Sequence, residues 1–72
     1  MEAYSWSDVR DELTSRGATE IRPRQAYDDD VEIAASSMCP HCGRRMAYRG
    51  MRRRGTYFAF AVCVPCDVAI EF

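Results

Sequence analysis

Cys39-Pro40-His41-Cys42-Gly43 and Cys63-Val64-Pro65-Cys66-Asp67 are the stretches of this 72-residue sequence that decide its fold. Each stretch holds two cysteines separated by two residues, and 20 residues lie between Cys42 and Cys63. Cysteines at this spacing let the chain curl around one ion, so two such pairs complete a tetrahedron of thiolates. The spacing therefore predicts one zinc ion in a structural site, because four thiolates leave no open position for water or substrate.

Three other uses of the four cysteines are open to the sequence. A disulfide framework suits a secreted chain, but residues 1–6 show neither the basic nor the apolar region of a secretory signal. We therefore expect a cytoplasmic protein, whose thiols stay reduced. A redox dithiol needs only one CxxC pair, so the second pair argues against it. Iron also occupies four-thiolate sites, and the sequence leaves zinc and iron open.

The length and hydropathy of the chain set further limits. We expect residues 1–72 to form a single small domain, which buries too little apolar surface to be stable without a staple. Metal binding supplies that staple, so removal of the ion should unfold at least the C-terminal half. No stretch is long and apolar enough to span a bilayer, so no membrane partner is expected.

The charges divide the chain into two unlike halves. Residues 1–38 carry nine acidic residues and four arginines, a net charge of −5, whereas residues 39–72 carry six arginines and two acidic residues, a net charge of +4. Such a division favours either a nucleic-acid-binding face or attraction between the halves. All ten basic residues are arginines, whose planar fork suits phosphate and carboxylate, although compositional bias of the genome explains this more simply.

The N-terminal half is predicted to contain one helix and two short strands. Residues 5–16 form an amphipathic helix, since Trp6, Val9 and Leu13 recur at helical spacing, with Ser5 or Ser7 as cap. Residues 18–22 form a brief strand that ends at Pro23. Residues 25–30 form a polar, acidic connection, and the alternation over residues 31–35 predicts a strand that leads into the first cysteine pair.

The C-terminal half is predicted to be an antiparallel sheet of strands at residues 44–49, 56–63 and 67–72. Gly50 and Gly55 bracket a hairpin loop, Met51–Arg54. The alternation places one set of side chains on a shared apolar face: Met46, Tyr48, Phe58, Phe60, Val62, Val68, Ile70 and Phe72. It places the remaining set on the opposite face: Arg45, Arg49, Tyr57, Ala59, Ala61, Asp67 and Glu71.

The order of cysteine pair, strand, basic tip, strand, cysteine pair and strand resembles a zinc ribbon over residues 39–72. The resemblance implies a metal-stapled antiparallel ribbon over this half of the chain. Because neither the apolar stripe of the N-terminal helix nor the apolar face of the sheet can be covered by its own half, we expect a small α+β domain in which the N-terminal helix packs on the zinc-ribbon sheet. The resemblance also implies that the ligands are Cys39, Cys42, Cys63 and Cys66. It does not fix a function, because ribbons occur in transcription factors, polymerase subunits, ribosomal proteins and adaptors. Residues 1–38 resemble no family that we recognise.

Two differences from known zinc ribbons make particular functions of that family less favoured for this chain. Ribbons that cleave transcripts have an acidic pair at the hairpin tip, whereas this chain has Arg52-Arg53-Arg54. Rubredoxins, which are iron-binding relatives, usually have glycine after both cysteine pairs, whereas Asp67 follows the second pair here. An iron electron carrier is therefore the less favoured alternative. His41 is expected to face solvent, since four thiolates already close the site.

No phosphate-binding glycine loop, catalytic carboxylate pair or nucleophile motif is visible, so we expect no enzyme and no small-molecule substrate. Arginines interleaved with tyrosines can hold phosphates while the rings stack on bases. This pattern predicts binding of RNA or single-stranded DNA, in transcription or translation. The predicted contact residues are Arg45, Arg49, Arg52, Arg53, Arg54 and Tyr57.

A second alternative to nucleic-acid binding, besides the iron electron carrier, also stays open. The isoelectric point of about 5.7 lies well below the value of about 9 that is typical of dedicated nucleic-acid binders. If the protein does not bind nucleic acid, the arginine-rich hairpin is a solvated turn whose positive charge is partly neutralised by the acidic N-terminal half. The protein is in that case an interaction adaptor with a purely structural zinc ion, and its acidic segments meet a basic protein partner.

Overall fold

The computed structural model describes residues 3–22, 24 and 26–72. The predicted strand end at Pro23 and the predicted start of a connection at Gln25 therefore lie outside the described residues. Two helices and five strands follow one another along the chain: β1 (Tyr4–Ser5), α1 (Trp6–Ser15), β2 (Thr19–Ile21), α2 (Asp28–Ser36), β3 (Ala47–Arg53), β4 (Thr56–Cys63) and β5 (Val68–Glu71).

The five strands form one antiparallel sheet in the order β1-β5-β4-β3-β2. The predicted small α+β fold with an antiparallel sheet is therefore confirmed. Both edge strands come from the N-terminal half of the chain, because β1 pairs with β5 and β2 pairs with β3. The N-terminal half thus completes the sheet as well as covering it.

Helix α1 closely matches its sequence prediction. It begins after Ser5, whose Oγ accepts a hydrogen bond from the backbone N–H of Asp8 at 3.4 Å. It ends before Gly17, which has a φ of 93°, and the N–H of Ala18 then donates to the carbonyl of Leu13 at 2.9 Å. The predicted apolar stripe packs on the sheet as expected, in a cluster that includes Trp6, Val9, Leu13, Phe58 and Phe60.

Helix α2 replaces the strand predicted for residues 31–35 and the last three residues of the polar connection predicted for residues 25–30. The strand prediction is therefore wrong, and the connection prediction is wrong for residues 28–30. Val31 and Ala34, three positions apart, pack against the sheet, whereas Ile33 is exposed. The apolar spacing is therefore helical, and the apparent alternation is a coincidence of small and branched residues. Three aspartates occupy the first turn, where negative charge is favourable at the positive end of the helix dipole.

The sheet is buried on both faces, which contradicts the predicted division into one apolar and one polar face. Every residue from Ala59 to Cys63 is buried. The face that α1 covers, termed the α1 face, holds Trp6, Ala18, Met51, Phe60, Val62 and Ala69, with Phe58 at its border. The face that α2 covers, termed the α2 face, holds Ala34, Cys39, Met46, Tyr48, Ala59, Ala61, Cys63 and Val68, with Tyr57 and Ile70 at its border.

The hairpin loop is shorter than the predicted Met51–Arg54. Strand β3 continues to Arg53, which pairs with Thr56, so Arg54 and Gly55 alone form the turn. Arg54 has a φ of 53°. Gly50 lies inside the strand, and a Cβ there would collide with Oη of Tyr48. The glycine therefore makes room for the tyrosine ring and does not mark a turn.

Candidate metal centre

The structure brings the four cysteine thiols together in one cluster. The first cysteine pair follows α2, and the second begins at the last residue of β4 and ends before β5. All four Sγ atoms lie within 4.8 Å of one another, and those of Cys42 and Cys63 are 3.6 Å apart. Four sulfurs bound tetrahedrally to zinc at about 2.3 Å are about 3.8 Å apart. The cluster therefore has the donor set and the size of a tetrathiolate site.

Each cysteine pair is followed by a residue with a positive φ whose backbone N–H closes a turn, although the two turns differ in length. Gly43 has a φ of 73° and donates its N–H to the carbonyl of Cys39 at 2.9 Å. Asp67 has a φ of 54° and donates its N–H to the carbonyl of Val64 at 3.1 Å. Glycine adopts this left-handed conformation freely, and aspartate tolerates it better than most residues do. Asp67, which stands where rubredoxins usually have glycine, therefore still allows the chain to turn after the second cysteine pair.

Asp67 also ties the second cysteine pair to the start of α1. Its Oδ1 accepts from the N–H of Ser7 at 2.8 Å and from Oγ of Ser7 at 2.7 Å, and its Oδ2 accepts from Oγ of Ser5 at 2.5 Å. The hydrogen bonds from Ser5 and Ser7 lower the pKa of Asp67, because they stabilise the carboxylate. The sequence analysis did not predict this link, although the two serines, and an aspartate at a position where rubredoxins usually have glycine, can all be seen in the sequence.

The thiols differ in how readily they ionise. Burial opposes ionisation of Cys39, but hydrogen bonds from the backbone of Cys42 and His41 outweigh it and lower the pKa of Cys39 to about 6. Hydrogen bonding with Cys42 and burial raise the pKa of Cys66 to about 12. Several thiolates this close together repel one another, and a bound cation removes that penalty. The cluster is therefore suited to a metal cation.

His41 is exposed and does not belong to the cluster of metal-ligating groups found in the described residues. Its backbone N–H donates to Sγ of Cys39 at 3.4 Å. Its contribution to the site is therefore made by the main chain.

The structure distributes the predicted nucleic-acid-binding arginines over several surfaces. Arg52 lies opposite Tyr57 on the α2 face, Arg53 lies on the α1 face, and Arg54 lies in the turn between them. All three are exposed, as is Arg45 beside the first cysteine pair. Arg49 instead forms an ion pair with Glu20, with 3.0 Å between Nη1 and Oε1.

The hydroxyl of Tyr57 forms hydrogen bonds within the protein. Its Oη donates to Oδ2 of Asp30 at 2.9 Å and is hydrogen-bonded to Oη of Tyr48. The ring of Tyr27 meets the ring of Tyr57 edge-on, with 6.0 Å between centroids. Burial, followed by the two hydrogen bonds, raises the pKa of Tyr57. This predicted base-stacking residue therefore also fastens α2 to the hairpin, and sequence reasoning missed its partner Asp30.

Comparison of the chain with known protein families, with curated proteins and with solved structures finds no match. The resemblance to a zinc ribbon therefore rests on the spacing and clustering of the cysteines. In the described part of the chain, neither helix has the length and hydropathy required to cross a membrane.

Proposed function

We propose that the protein is a non-enzymatic binding module, held together by one zinc ion, that binds RNA or single-stranded DNA through the tip of the β3–β4 hairpin. The zinc part of the proposal is supported by the four clustered thiols, which supply a complete set of ligands. Cys39, Cys42, Cys63 and Cys66 would hold the ion, which would fix the start of β3 relative to the end of β4.

The observation that supports nucleic-acid binding is a difference between the arginines, some of which form ion pairs while others do not. Arg16 and Arg49 form ion pairs with Glu12 and Glu20. The consecutive arginines Arg52–Arg54 are exposed, and no ion pair to them occurs within the described residues. Three adjacent cations without carboxylate partners repel one another and gain from an anionic ligand.

The position of α2 sets the expected strength of binding. Asp30 accepts a hydrogen bond from Tyr57, which is paired with Arg52 across the hairpin, so a carboxylate lies on the α2 face of the sheet near the tip. We therefore expect modest affinity with strong salt dependence, because phosphate contacts act mainly through release of counterions. Contacts to the phosphate backbone carry little sequence information, so we expect weak sequence preference.

The test is fluorescence anisotropy with labelled oligouridine and oligothymidine over a range of salt concentrations. R52A/R53A/R54A should weaken binding and reduce the slope of log affinity against log salt by about 2, at about 0.7 for each phosphate that an arginine no longer neutralises. A control, R10A/R16A/R24A, removes the same charge outside the hairpin. Equal weakening by the two triple variants, or an unchanged affinity of the first, would contradict the proposal.

A further inference from the structure

We infer that the outer face of α2 is a docking surface for a basic, amphipathic segment of a protein partner. This surface, termed the α2 surface, consists of exposed residues of α2 and its flanks: Tyr27, Asp28, Asp29, Glu32, Ile33, Ser36 and Met38. The inference does not depend on which metal is bound or on whether the arginine hairpin binds nucleic acid.

The α2 surface displays large apolar side chains that the fold leaves largely exposed, although the ring of Tyr27 also meets that of Tyr57 edge-on. Ile33 is 49 % exposed, Met38 57 % and Tyr27 71 %, and these are three of the six large apolar side chains that are exposed in the described structure. Val31 and Ala34 already supply the contact between α2 and the sheet. Packing of this chain therefore gives no reason for an isoleucine on the outer side of the helix.

An open groove of about 500 Å³ runs along the same side, lined by Asp29, Glu32, Ile33, Ser36 and Ser37. The hydroxyls of Ser36 and Ser37 donate to the carbonyls of Glu32 and Ile33, each at 2.9 Å. Because these donors are already satisfied, the groove offers an incoming segment an apolar wall with carboxylates beside it.

The negative charge of the α2 surface indicates the kind of partner that would bind there. Residues 26–43 contain four carboxylates and no arginine or lysine. Asp30 bonds to Tyr57, while Asp28, Asp29 and Glu32 are exposed and form no ion pair with the described residues. An anionic polymer or an anionic bilayer would be repelled. A segment with arginine or lysine flanking an apolar side chain complements both the carboxylates and Ile33.

A second copy of this chain fits the surface less well. Its most basic region is the hairpin tip, Arg52–Arg54, which would satisfy the carboxylates. The neighbouring apolar side chain, Met51, is only 1 % exposed and cannot reach Ile33 of another copy. The tip therefore lacks the apolar anchor that the groove requires.

The test uses the full chain with zinc bound and a fluorescein-labelled 14-residue peptide of leucine and arginine, arranged so that the leucines form one face of a helix. A peptide of the same composition with the leucines scattered is the control. We expect saturable binding of the first peptide, and amide chemical-shift changes concentrated in residues 27–38. Ile33→Ser should weaken binding about tenfold, as loss of an apolar anchor does.

Paired charge variants separate docking from general attraction. D29N/E32Q removes two carboxylates from the α2 surface, and D8N/D11N removes two from α1. We expect the first to weaken peptide binding several-fold and the second to leave it within twofold. Circular dichroism should show that all variants are folded, since each change is at an exposed position.

Any of the following results would overturn the inference: absence of binding, equal binding of the scattered peptide, equal effects of the two charge variants, or shift changes centred on the hairpin. Self-association that Ile33→Ser abolishes would also overturn it, by assigning the surface to a second copy of the chain.

Discussion

Replacement of Met51 by alanine tests the sheet register most directly. The side chain of Met51 is 1 % exposed on the α1 face, in the cluster that contains Trp6 and Phe60. In the hairpin loop that the sequence suggested, the same side chain would be in water. The two arrangements therefore predict very different effects on stability.

The expected loss of stability follows from the burial. Alanine removes about three methylene-sized groups, worth about 0.8 kcal/mol each on transfer from water. The cavity left behind adds to this, so we expect about 3 kcal/mol, within the range of 2–5 kcal/mol for such changes in a core. For a domain of this size each 1 kcal/mol lowers Tm by about 4–8 °C, which gives roughly 12–24 °C.

The assay is urea unfolding of the zinc-loaded protein, followed by fluorescence of the single tryptophan. Trp6 is a suitable reporter, because it is buried in the same cluster and its ring centroid lies 5.6 Å from that of Phe60. Met38→Ala is a matched control, since Met38 is 57 % exposed and should lose less than about 0.5 kcal/mol. Metal content is measured for each variant.

If Met51→Ala unfolds the chain entirely, Met51→Leu provides the measurement, because a swap that conserves volume should cost less than about 1.5 kcal/mol. The reasoning would be refuted if Met51→Ala were as stable as the parent, or if the control lost as much stability.

Further changes test the metal cluster and its supports. Cys66→Ser should abolish stoichiometric zinc binding in native mass spectrometry, and retention of a full equivalent would contradict the four-thiolate site. Asp67→Ala should lower Tm and increase the solvent exposure of Trp6, whereas Asp67→Asn should do so less because it retains acceptor geometry. Tyr57→Phe should cost about 1 kcal/mol in urea unfolding, since it leaves a half-buried carboxylate without its donor. Gly50→Ala should cost about 1–3 kcal/mol through overpacking, and an unchanged midpoint would show that the tyrosine ring moves aside.

The parts of the fold that the sequence predicted correctly are those with strong local signals. Helix α1 has a cap at Ser5, an apolar stripe and a terminating Gly17, and all three act within a few residues. The cysteine spacing likewise indicates which side chains meet, because two residues between thiols permit only a tight turn. For both helix α1 and the cysteine pairs, interactions between residues close in sequence were enough for a correct prediction.

The parts that the sequence failed to predict depend on distant contacts. Helix α2 is short, and its stability depends on Val31 and Ala34 meeting a sheet whose strands come later in the chain. The register of β3 depends on Met51 finding a place beneath α1, while Gly50 looks like a turn signal when only its neighbours in sequence are considered. Burial of both faces of β4 follows from the two helices, so the alternation that located this strand correctly was wrong in assigning it a polar face.

The arrangement also predicts that residues 39–72 alone would be an incomplete unit, despite their resemblance to a ribbon. Without the N-terminal half, β3 and β5 become unpaired edges, which invite association with other chains. Both apolar faces of β4 would lose their covering helices. Asp67 adds a direct connection, since the residue that follows the last thiol holds the first turn of α1. Metal binding and packing of the N-terminal half therefore stabilise the same sheet from two sides, and loss of either should weaken the other.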